Sequence, residues 1–218
     1  MREAFHEQLD AVFTDLAALC TDVEAAVRLA TEALMTGDAS LAERVISADV
    51  EIDRTREQIE ESAFLLLSLQ QPVASDLRTV VAALRMVSDL ERMGDLSVHV
   101  AKIARLRVPN LAVPDAMRPT FERMAQVAED MVRRVAKVVA DRDVEEAIAL
   151  GHADEEMDQL RRSSFAELLS ADWGHGVEAA VDLALLGRYY ERIADHAVSV
   201  ANRVVFVVTG ENPSSVGA

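Results

Sequence analysis

The stretch Glu91–Ala101, ERMGDLSVHVA, occurs again in altered form as Glu191–Ala201, ERIADHAVSVA. Six residues coincide when the two are aligned at an offset of 191 − 91 = 100 residues: Glu, Arg, Asp, two Val and Ala. A second correspondence, of Asp49-x-x-x-Asp53 with Asp154-x-x-x-Asp158, has an offset of 154 − 49 = 105 residues. The difference of five residues falls between the second and third predicted helices of each half. Self-similarity with its length change in a loop indicates an internal duplication.

Apolar residues elsewhere in the chain recur at spacings of three and four, which is typical of amphipathic helices. Residues 1–71 and 120–212 contain no proline, and no alternating pattern predicts a pair of strands. The sequence therefore predicts an all-α fold of six long helices. Five helix starts are expected after the first: behind Asp38 as an N-cap, near Ser75-Asp76 with a cap there, around Asp115, near Asp143, and after 173–176.

The two halves of the chain have the same makeup, three helices each, on either side of a linker. The linker, 109–114, has a proline at both ends, and proline opposes helix. We therefore predict two tandem pseudo-symmetric three-helix bundles, formed by residues 1–108 and 115–210, with 211–218 as a polar tail.

The composition excludes several classes of protein. The 218 residues include 22 Lys and Arg against 38 Asp and Glu, a net charge of −16. This balance argues against nucleic-acid binding, which needs clustered positive charge, and against adsorption onto anionic lipid. The single cysteine, Cys20, cannot form an intramolecular disulfide and is expected in the core. An acidic N-terminal region and the lack of a long apolar run predict a cytoplasmic protein.

Pairs of carboxylates spaced four residues apart occur at repeat-equivalent positions. Each pair shares one face of a helix, where the two like charges repel. Neighbouring apolar residues place these faces on or beside the packing seam, where an ionised group needs a cation, an arginine or a proton. The candidate metal ligands are Asp49, Asp53, Glu91, Asp95, Asp154, Asp158, Glu191 and Asp195.

Two interpretations of these pairs are open. Hard cations and iron accept clustered carboxylate oxygens, so two pairs from neighbouring helices can form a multivalent metal site. Alternatively, arginines neutralise the carboxylates in ordinary ion pairs; the candidates are Arg54, Arg56, Arg92, Arg161, Arg188 and Arg192. His99 and His196 lie close to the pairs in sequence, and a structural contact is favoured over a ligand role for both.

An enzyme is the main competing class of protein. Di-iron carboxylate bundles combine Glu with Glu-x-x-His on facing helices, but here Gly94 and Ala194 stand three residues after Glu91 and Glu191. The sequence also contains no glycine-rich phosphate loop and no nucleophile turn. We therefore predict a protein that is not an enzyme, and keep a metal-dependent helical-bundle enzyme or metal-storage protein as the alternative.

The sequence resembles a known protein family in four places. The runs Gln71–Arg78, QPVASDLR, and Ser88–Asp95, SDLERMGD, resemble the PhoU family of phosphate-uptake regulators. Glu191–His196 and Val207–Gly210 are similar to the second repeat of that family. The resemblance extends over nearly the whole chain.

This resemblance implies two pseudo-symmetric three-helix bundles and a negative regulator of phosphate uptake and of the phosphate-starvation response. It implies an adaptor that contacts the ATPase subunit of a phosphate ABC transporter and a phosphate-sensing histidine kinase. Such a protein is often a homodimer and is recruited to the inner face of the cell membrane by its protein partners. The resemblance also implies that the eight carboxylates hold multinuclear metal clusters of iron or another metal, as in some members.

The second half departs from the family pattern at two places. Tyr189-Tyr190 stands where the first half has Asp89-Leu90, and Val198-Ser199 stands where the family tends to show Thr-Asn. If these positions help to build a site, the second metal cluster is expected to be weaker than the first, or absent.

Overall fold

The computed structural model describes residues 2–211, apart from the side chains of Arg2, Gln70 and His152. Over this range the chain forms six α-helices and no strand, which confirms the predicted all-α class. The helices are α1 (Arg2–Thr36), α2 (Ala39–Gln70), α3 (Ser75–Arg107), α4 (Arg118–Asp141), α5 (Val144–Leu168) and α6 (Gly176–Thr209). Except for Glu211, the predicted polar tail lies outside the described residues.

Two of the helix starts are set by aspartate caps; the cap by Asp38 was predicted, and so was a helix start near Asp143. Asp38 accepts a hydrogen bond from Leu41 N at 2.9 Å and begins α2. Asp143 accepts from Glu146 N at 3.0 Å and begins α5. Before α2, Gly37 has a φ of +68°, a conformation that glycine adopts without strain and that ends α1.

Two other helix starts differ from the prediction. Helix α3 begins at Ser75 as expected, but no side chain within residues 2–211 caps it. Helix α4 begins at Arg118 rather than around Asp115. The intervening residues form a turn, in which Met117 N and Arg118 N both donate to Pro114 O. Pro119 then occupies the first turn of the helix, where its missing N–H has no cost.

The six helices form two bundles that share one core. Helices α1, α2 and α3 pack on one another, as do α4, α5 and α6. The bundles join where α1 lies against α4 and α3 lies against α6. The α3–α6 pair is antiparallel, since Arg78 near the start of α3 bonds to Val207 near the end of α6. Buried apolar side chains from all six helices form one continuous cluster.

The duplication is visible in the burial of the two central helices. Residues 81–90 of α3 and 181–190 of α6 have the same succession of buried, half-buried and exposed positions. This confirms the two pseudo-symmetric three-helix bundles, while the limits 1–108 and 115–210 stay predictions.

The single cysteine lies among the buried apolar residues of the described helices. Cys20 is fully buried, as predicted, and burial raises the pKa of its thiol to about 12, so the thiol is unreactive at neutral pH.

In the part of the chain that the structure describes, no helix combines the length and the apolar character needed to cross a bilayer.

Candidate metal centres

The first carboxylate cluster lies between α2 and α3. Asp49 and Asp53 are on α2, whereas Glu91 and Asp95 are on α3; all are half-buried except Asp53, which is exposed. Burial raises the pKa of Asp49, and the negative charges of Asp95 and Asp53 raise it further. Burial and then Asp95 likewise raise the pKa of Glu91. The fold therefore brings all four predicted residues of this half into electrostatic range of one another.

Gly94 allows α2 and α3 to approach closely at this cluster. A Cβ atom at residue 94 would lie 3.2 Å from two carbons of Ile52 and 3.6 Å from Asp49 Oδ1. A larger side chain would therefore push α2, with its two carboxylates, away from Glu91 and Asp95. The glycine of the motif has a packing role beside the site.

The second cluster lies between α5 and α6. Asp154 and Asp158 are on α5, and Glu191 and Asp195 are on α6. Glu191 is only 7% exposed and Asp154 is half-buried, whereas Asp158 and Asp195 are exposed. Burial raises the pKa of Asp154 to about 6, and Asp195, Asp158 and Glu191 raise it as well. Loss of water around its carboxyl and the charge of Glu191 raise the pKa of Asp195.

Arginines neutralise part of the first cluster. Arg92 lies 3.0 Å from Asp95 and 3.6 Å from Glu91. Arg56 reaches Asp53 at 4.0 Å. Asp49 has no salt bridge to any residue in the range 2–211, which leaves one half-buried carboxylate without an arginine.

The second cluster is less completely neutralised. Arg161 lies 3.0 Å from Glu191, and Arg188 also pairs with this carboxylate. Within the described chain, no salt bridge reaches Asp154, Asp158 or Asp195. Of the other arginines considered from the sequence, Arg54 pairs with Glu51 instead, and Arg192 forms no ion pair with a described residue. Ordinary ion pairing therefore accounts for half of the eight carboxylates.

The remaining carboxylates fit a hard cation by their chemistry. Asp154 Oδ1 is buried and accepts no hydrogen bond from the described residues. A cation there would satisfy this oxygen and offset the repulsion that raises the pKa of Asp154. Among the described side chains, however, no three of Asp, Glu, His or Cys gather closely enough to hold one ion. Ligation by three groups needs side-chain rotation, which is easiest for the exposed Asp158 and Asp195.

Both histidines near the clusters contact the opposite bundle. The ring of His99 stacks on Tyr189 with centroids 5.3 Å apart. His196 Nδ1 lies 3.0 Å from Asp89 Oδ1, and Arg203 donates to Asp89 Oδ2 at 2.9 Å. The change from Asp89 to Tyr189 in the repeat therefore affects the α3–α6 interface rather than a carboxylate cluster. A weaker second cluster stays a prediction.

Sequence reasoning missed an ion pair that joins the two bundles. Arg107, at the end of α3, donates to both carboxylate oxygens of Asp182 on α6, with Nη2 3.1 Å from Oδ1, and it also pairs with Glu178. Asp182 is only 5% exposed. The repeat contained a signal for this ion pair, because the acidic Asp182 stands at the position of Ala82 in the first half. The structure shows that both residues are buried.

Metal-free protein is expected to lose stability as the pH rises from about 4 to about 7. The pKa of Asp154 is about 6 in the folded state against an ordinary value of 3.8, so the folded protein keeps a proton that the unfolded chain releases. This contribution is fully present below the unfolded pKa and is lost as the pH rises through the folded pKa. The pKa values of Asp49, Glu91 and Asp195 are raised too. Urea midpoints of chelated, dialysed protein across this range measure the effect.

The variant Asp154→Asn tests whether Asp154 is a main source of this pH dependence. It should raise the urea midpoint of metal-free protein at neutral pH and reduce the change with pH. Asp115→Asn, at an exposed position, serves as the control and should leave the profile of the wild type in place. An Asp154→Asn profile identical to that of the wild type would show that this carboxyl is well hydrated.

Comparisons with known proteins, by sequence and by structure, match this chain to the same family. A sequence profile described as the PhoU domain matches residues 16–104 and again 121–204. The chain is 47% identical over 213 residues to "Phosphate-specific transport system accessory protein PhoU homolog 2" of Mycobacterium tuberculosis, covering 98% of this chain and 100% of that protein. PhoU homolog 1 of Mycobacterium leprae is 46% identical, and the match covers 98% of this chain and 96% of that protein.

Solved structures agree with these sequence matches. The crystal structure of the phosphate transport system regulatory protein PhoU from Streptococcus pneumoniae superposes with a TM-score of 0.87 at 25% identity, covering 95% of this chain and 98% of that chain. PhoU from Pseudomonas aeruginosa gives a TM-score of 0.86 at 27% identity, with 95% and 100% covered. With both repeats matched and nearly the whole length shared, this chain belongs to the PhoU family.

Proposed function

We propose that this protein is a non-enzymatic adaptor that restrains phosphate uptake and the phosphate-starvation response. The observation that carries the proposal is the 47% identity, over 98% of the chain, to a protein named as an accessory protein of the phosphate-specific transport system. In this role it binds the ATPase subunit of the phosphate ABC transporter and a phosphate-sensing histidine kinase. It acts in the cytoplasm as a homodimer, and its protein partners bring it to the inner face of the membrane.

In this proposal the two carboxylate clusters are regulatory metal sites. One is formed by Asp49, Asp53, Glu91 and Asp95, the other by Asp154, Asp158, Glu191 and Asp195. Iron or another divalent or trivalent metal suits such an oxygen-rich donor set. A bound metal supplies the positive charge that arginines leave lacking at Asp49 and Asp154. The α2–α3 and α5–α6 contacts then become stiffer, and partners recognise the stiffened surface.

Binding to the transporter ATPase tests the adaptor role directly. The purified protein is immobilised, the ATPase subunit and the kinase are passed over it, and metal content is measured before and after chelation. We expect saturable binding that weakens when metal leaves. Equal binding by metal-free protein would contradict the regulatory role of the metal while supporting the adaptor. Failure of both partners to bind in either state would contradict the adaptor itself.

The alternative function is a metal-dependent enzyme or a metal store. It is favoured by Asp154, whose buried oxygen lacks a hydrogen bond from the described residues and whose pKa is raised beside three further carboxylates. Hydrolase, peroxidase or iron-oxidation assays on metal-loaded protein are expected to show no turnover. Robust activity that disappears in Asp95→Asn and Asp195→Asn would instead establish the enzyme.

A further inference from the structure

A groove of about 420 Å³ lies between the first turns of α3 and the last turns of α6. We call it the α3–α6 groove; its main lining residues are Leu77, Arg78, Val81, Arg85, Arg203 and Phe206. It is distinct from both carboxylate clusters, none of whose residues lines it. Apolar side chains form one part of its lining, which we call the apolar floor, and three arginines form another part.

The groove carries positive charge on a strongly acidic protein. Three of the described residues that line it are arginines and none is acidic, although the chain has 38 acidic against 22 basic residues. Arg203 forms a salt bridge with Asp89. Arg78 donates to the Val207 carbonyl at 3.1 Å, and neither it nor Arg85 pairs with a carboxylate of residues 2–211. Arg85 is exposed, so its charge is available to a negatively charged partner from outside the chain.

The repeat shows that Arg85 is not needed to pack the two helices. At the offset of 100 residues, Arg78 corresponds to Glu178 and Arg85 to Leu185. At that other end of the α3–α6 pair, Arg107 pairs with Glu178 and with the buried Asp182. The same helix pair is therefore built without basic residues at these positions. The arginines distinguish one end of the molecule from the other.

Apolar side chains decide the kind of ligand that fits. Leu77, Val81 and Phe206 are 43%, 36% and 37% exposed, so each leaves part of its apolar surface uncovered in the groove. The Arg78 guanidinium stands over the Phe206 ring, 5.5 Å from its centroid, and so borders the apolar floor. A small anion would leave this floor in water, whereas the apolar face of a helix would cover it.

We propose that the α3–α6 groove is the docking site for an acidic amphipathic helix of a partner protein. Leucine-like side chains of that helix pack on Leu77, Val81 and Phe206, and its carboxylates pair with Arg78 and Arg85. Charge complementarity also orients the encounter, because an acidic partner is repelled by most of this surface and attracted to the groove. The inference rests on the proposed adaptor function and adds to it the place and the chemistry of the contact.

A designed peptide tests the groove without knowledge of the natural partner. The probe is a fluorescein-labelled amphipathic helix with leucines on one face and glutamates on the other, and binding is followed by anisotropy. We expect saturable binding to the full chain, weakened at least about tenfold by Arg85→Glu. Arg85→Leu copies the repeat-equivalent Leu185, so it should keep the fold and still weaken binding. Equal affinity for wild type and Arg85→Glu, or no binding by wild type, overturns the proposal.

Two controls match this experiment. Arg28→Glu makes the same charge change at an exposed position of α1 and should bind the peptide as the wild type does. A second peptide, with lysines in place of the glutamates, should show no weakening by Arg85→Glu, because its charges attract it to the acidic surface and not to the arginines. Circular dichroism of each variant confirms that it is folded. Weakening by Arg28→Glu equal to that by Arg85→Glu would reduce the effect to net charge and contradict the proposal.

Two further experiments test whether a different occupant, a lipid surface or a second copy of the chain, binds in the groove. Flotation with phosphatidylglycerol vesicles tests a lipid surface, and sedimentation velocity of the protein alone tests a second copy of the chain. Vesicle binding or self-association that Arg85→Glu abolishes, with no peptide binding, would assign the groove to that occupant and overturn the proposal.

Failure of this inference can be told apart from failure of the proposed function. The ATPase subunit and the kinase replace the peptide in the same assay, with the same variants. If they bind Arg85→Glu as well as wild type, the adaptor stands and the groove is wrong. If wild type binds the peptide through Arg85 but binds neither partner, the groove stands and the proposed function fails.

Discussion

Arg107→Ala is expected to lower the melting temperature by about 5 °C or more. Arg107 holds both carboxylate oxygens of Asp182, which is only 5% exposed, and pairs with the exposed Glu178 as well. Removing the arginine leaves a buried carboxylate without its cation, at the contact that joins α3 to α6. Thermal unfolding at neutral pH, followed by circular dichroism, measures the loss.

A double variant separates the buried charge from simple loss of packing. Arg107→Ala/Asp182→Ala removes both charges, and Ala82 shows that alanine fits the equivalent position, so most of the lost stability should return. Arg105→Ala is the matched control, because Arg105 pairs with Glu43 on the surface, where ion pairs contribute little. Equal losses in Arg107→Ala and Arg105→Ala would contradict a special role for the buried pair.

Removal of metal is expected to destabilise the wild type and to leave a carboxylate-depleted variant unchanged. The variant carries Asp49→Asn, Asp95→Asn, Asp154→Asn and Asp195→Asn. A ligand at about one hundred times its dissociation constant stabilises the folded state by about 2.7 kcal/mol. Unfolding of chelated protein with and without Mn²⁺, a hard divalent probe, should show a stabilisation of this size in the wild type and none in the variant.

The metal-free states give a second readout for the same variant. Without metal, the variant should be more stable than the wild type at neutral pH, because mutual repulsion of the carboxylates is gone. A control with Asp115→Asn and Asp172→Asn changes exposed residues away from the clusters and should keep the response to Mn²⁺. An equal response to Mn²⁺ in wild type and in the carboxylate-depleted variant would place the metal elsewhere.

The helices could be predicted because the signals for them are local. Asp38 and Asp143 cap helices through hydrogen bonds that span three residues, so the sequence contains both partners. The start of α4 was predicted three residues too early, around Asp115 instead of Arg118. Its turn is closed onto the Pro114 carbonyl, and a proline signals a break in helix without specifying where the next helix begins.

The grouping of the eight carboxylates into two clusters was predictable, whereas their electrostatics was not; their role as metal ligands stays a prediction. Spacing of four residues places two carboxylates on one helix face, and the two pairs of each half lie on consecutive helices. Asp53 and Asp158 are nevertheless exposed, whereas Glu191 is buried and paired with Arg161. Hydration and arginine contacts depend on neighbours from other helices, about which spacing within one helix says nothing.

The sequence by itself determined the duplication, the six helices, the core position of Cys20 and the eight carboxylates. Each of these depends on residues near one another along the chain, or on comparison of one half with the other. Only the tertiary structure decided that Asp154 is partly dehydrated, that Arg107 joins the bundles through Asp182, and that one end of the α3–α6 pair is basic. These properties arise where helices distant in sequence pack together, because burial and Coulomb interactions depend on distance in space.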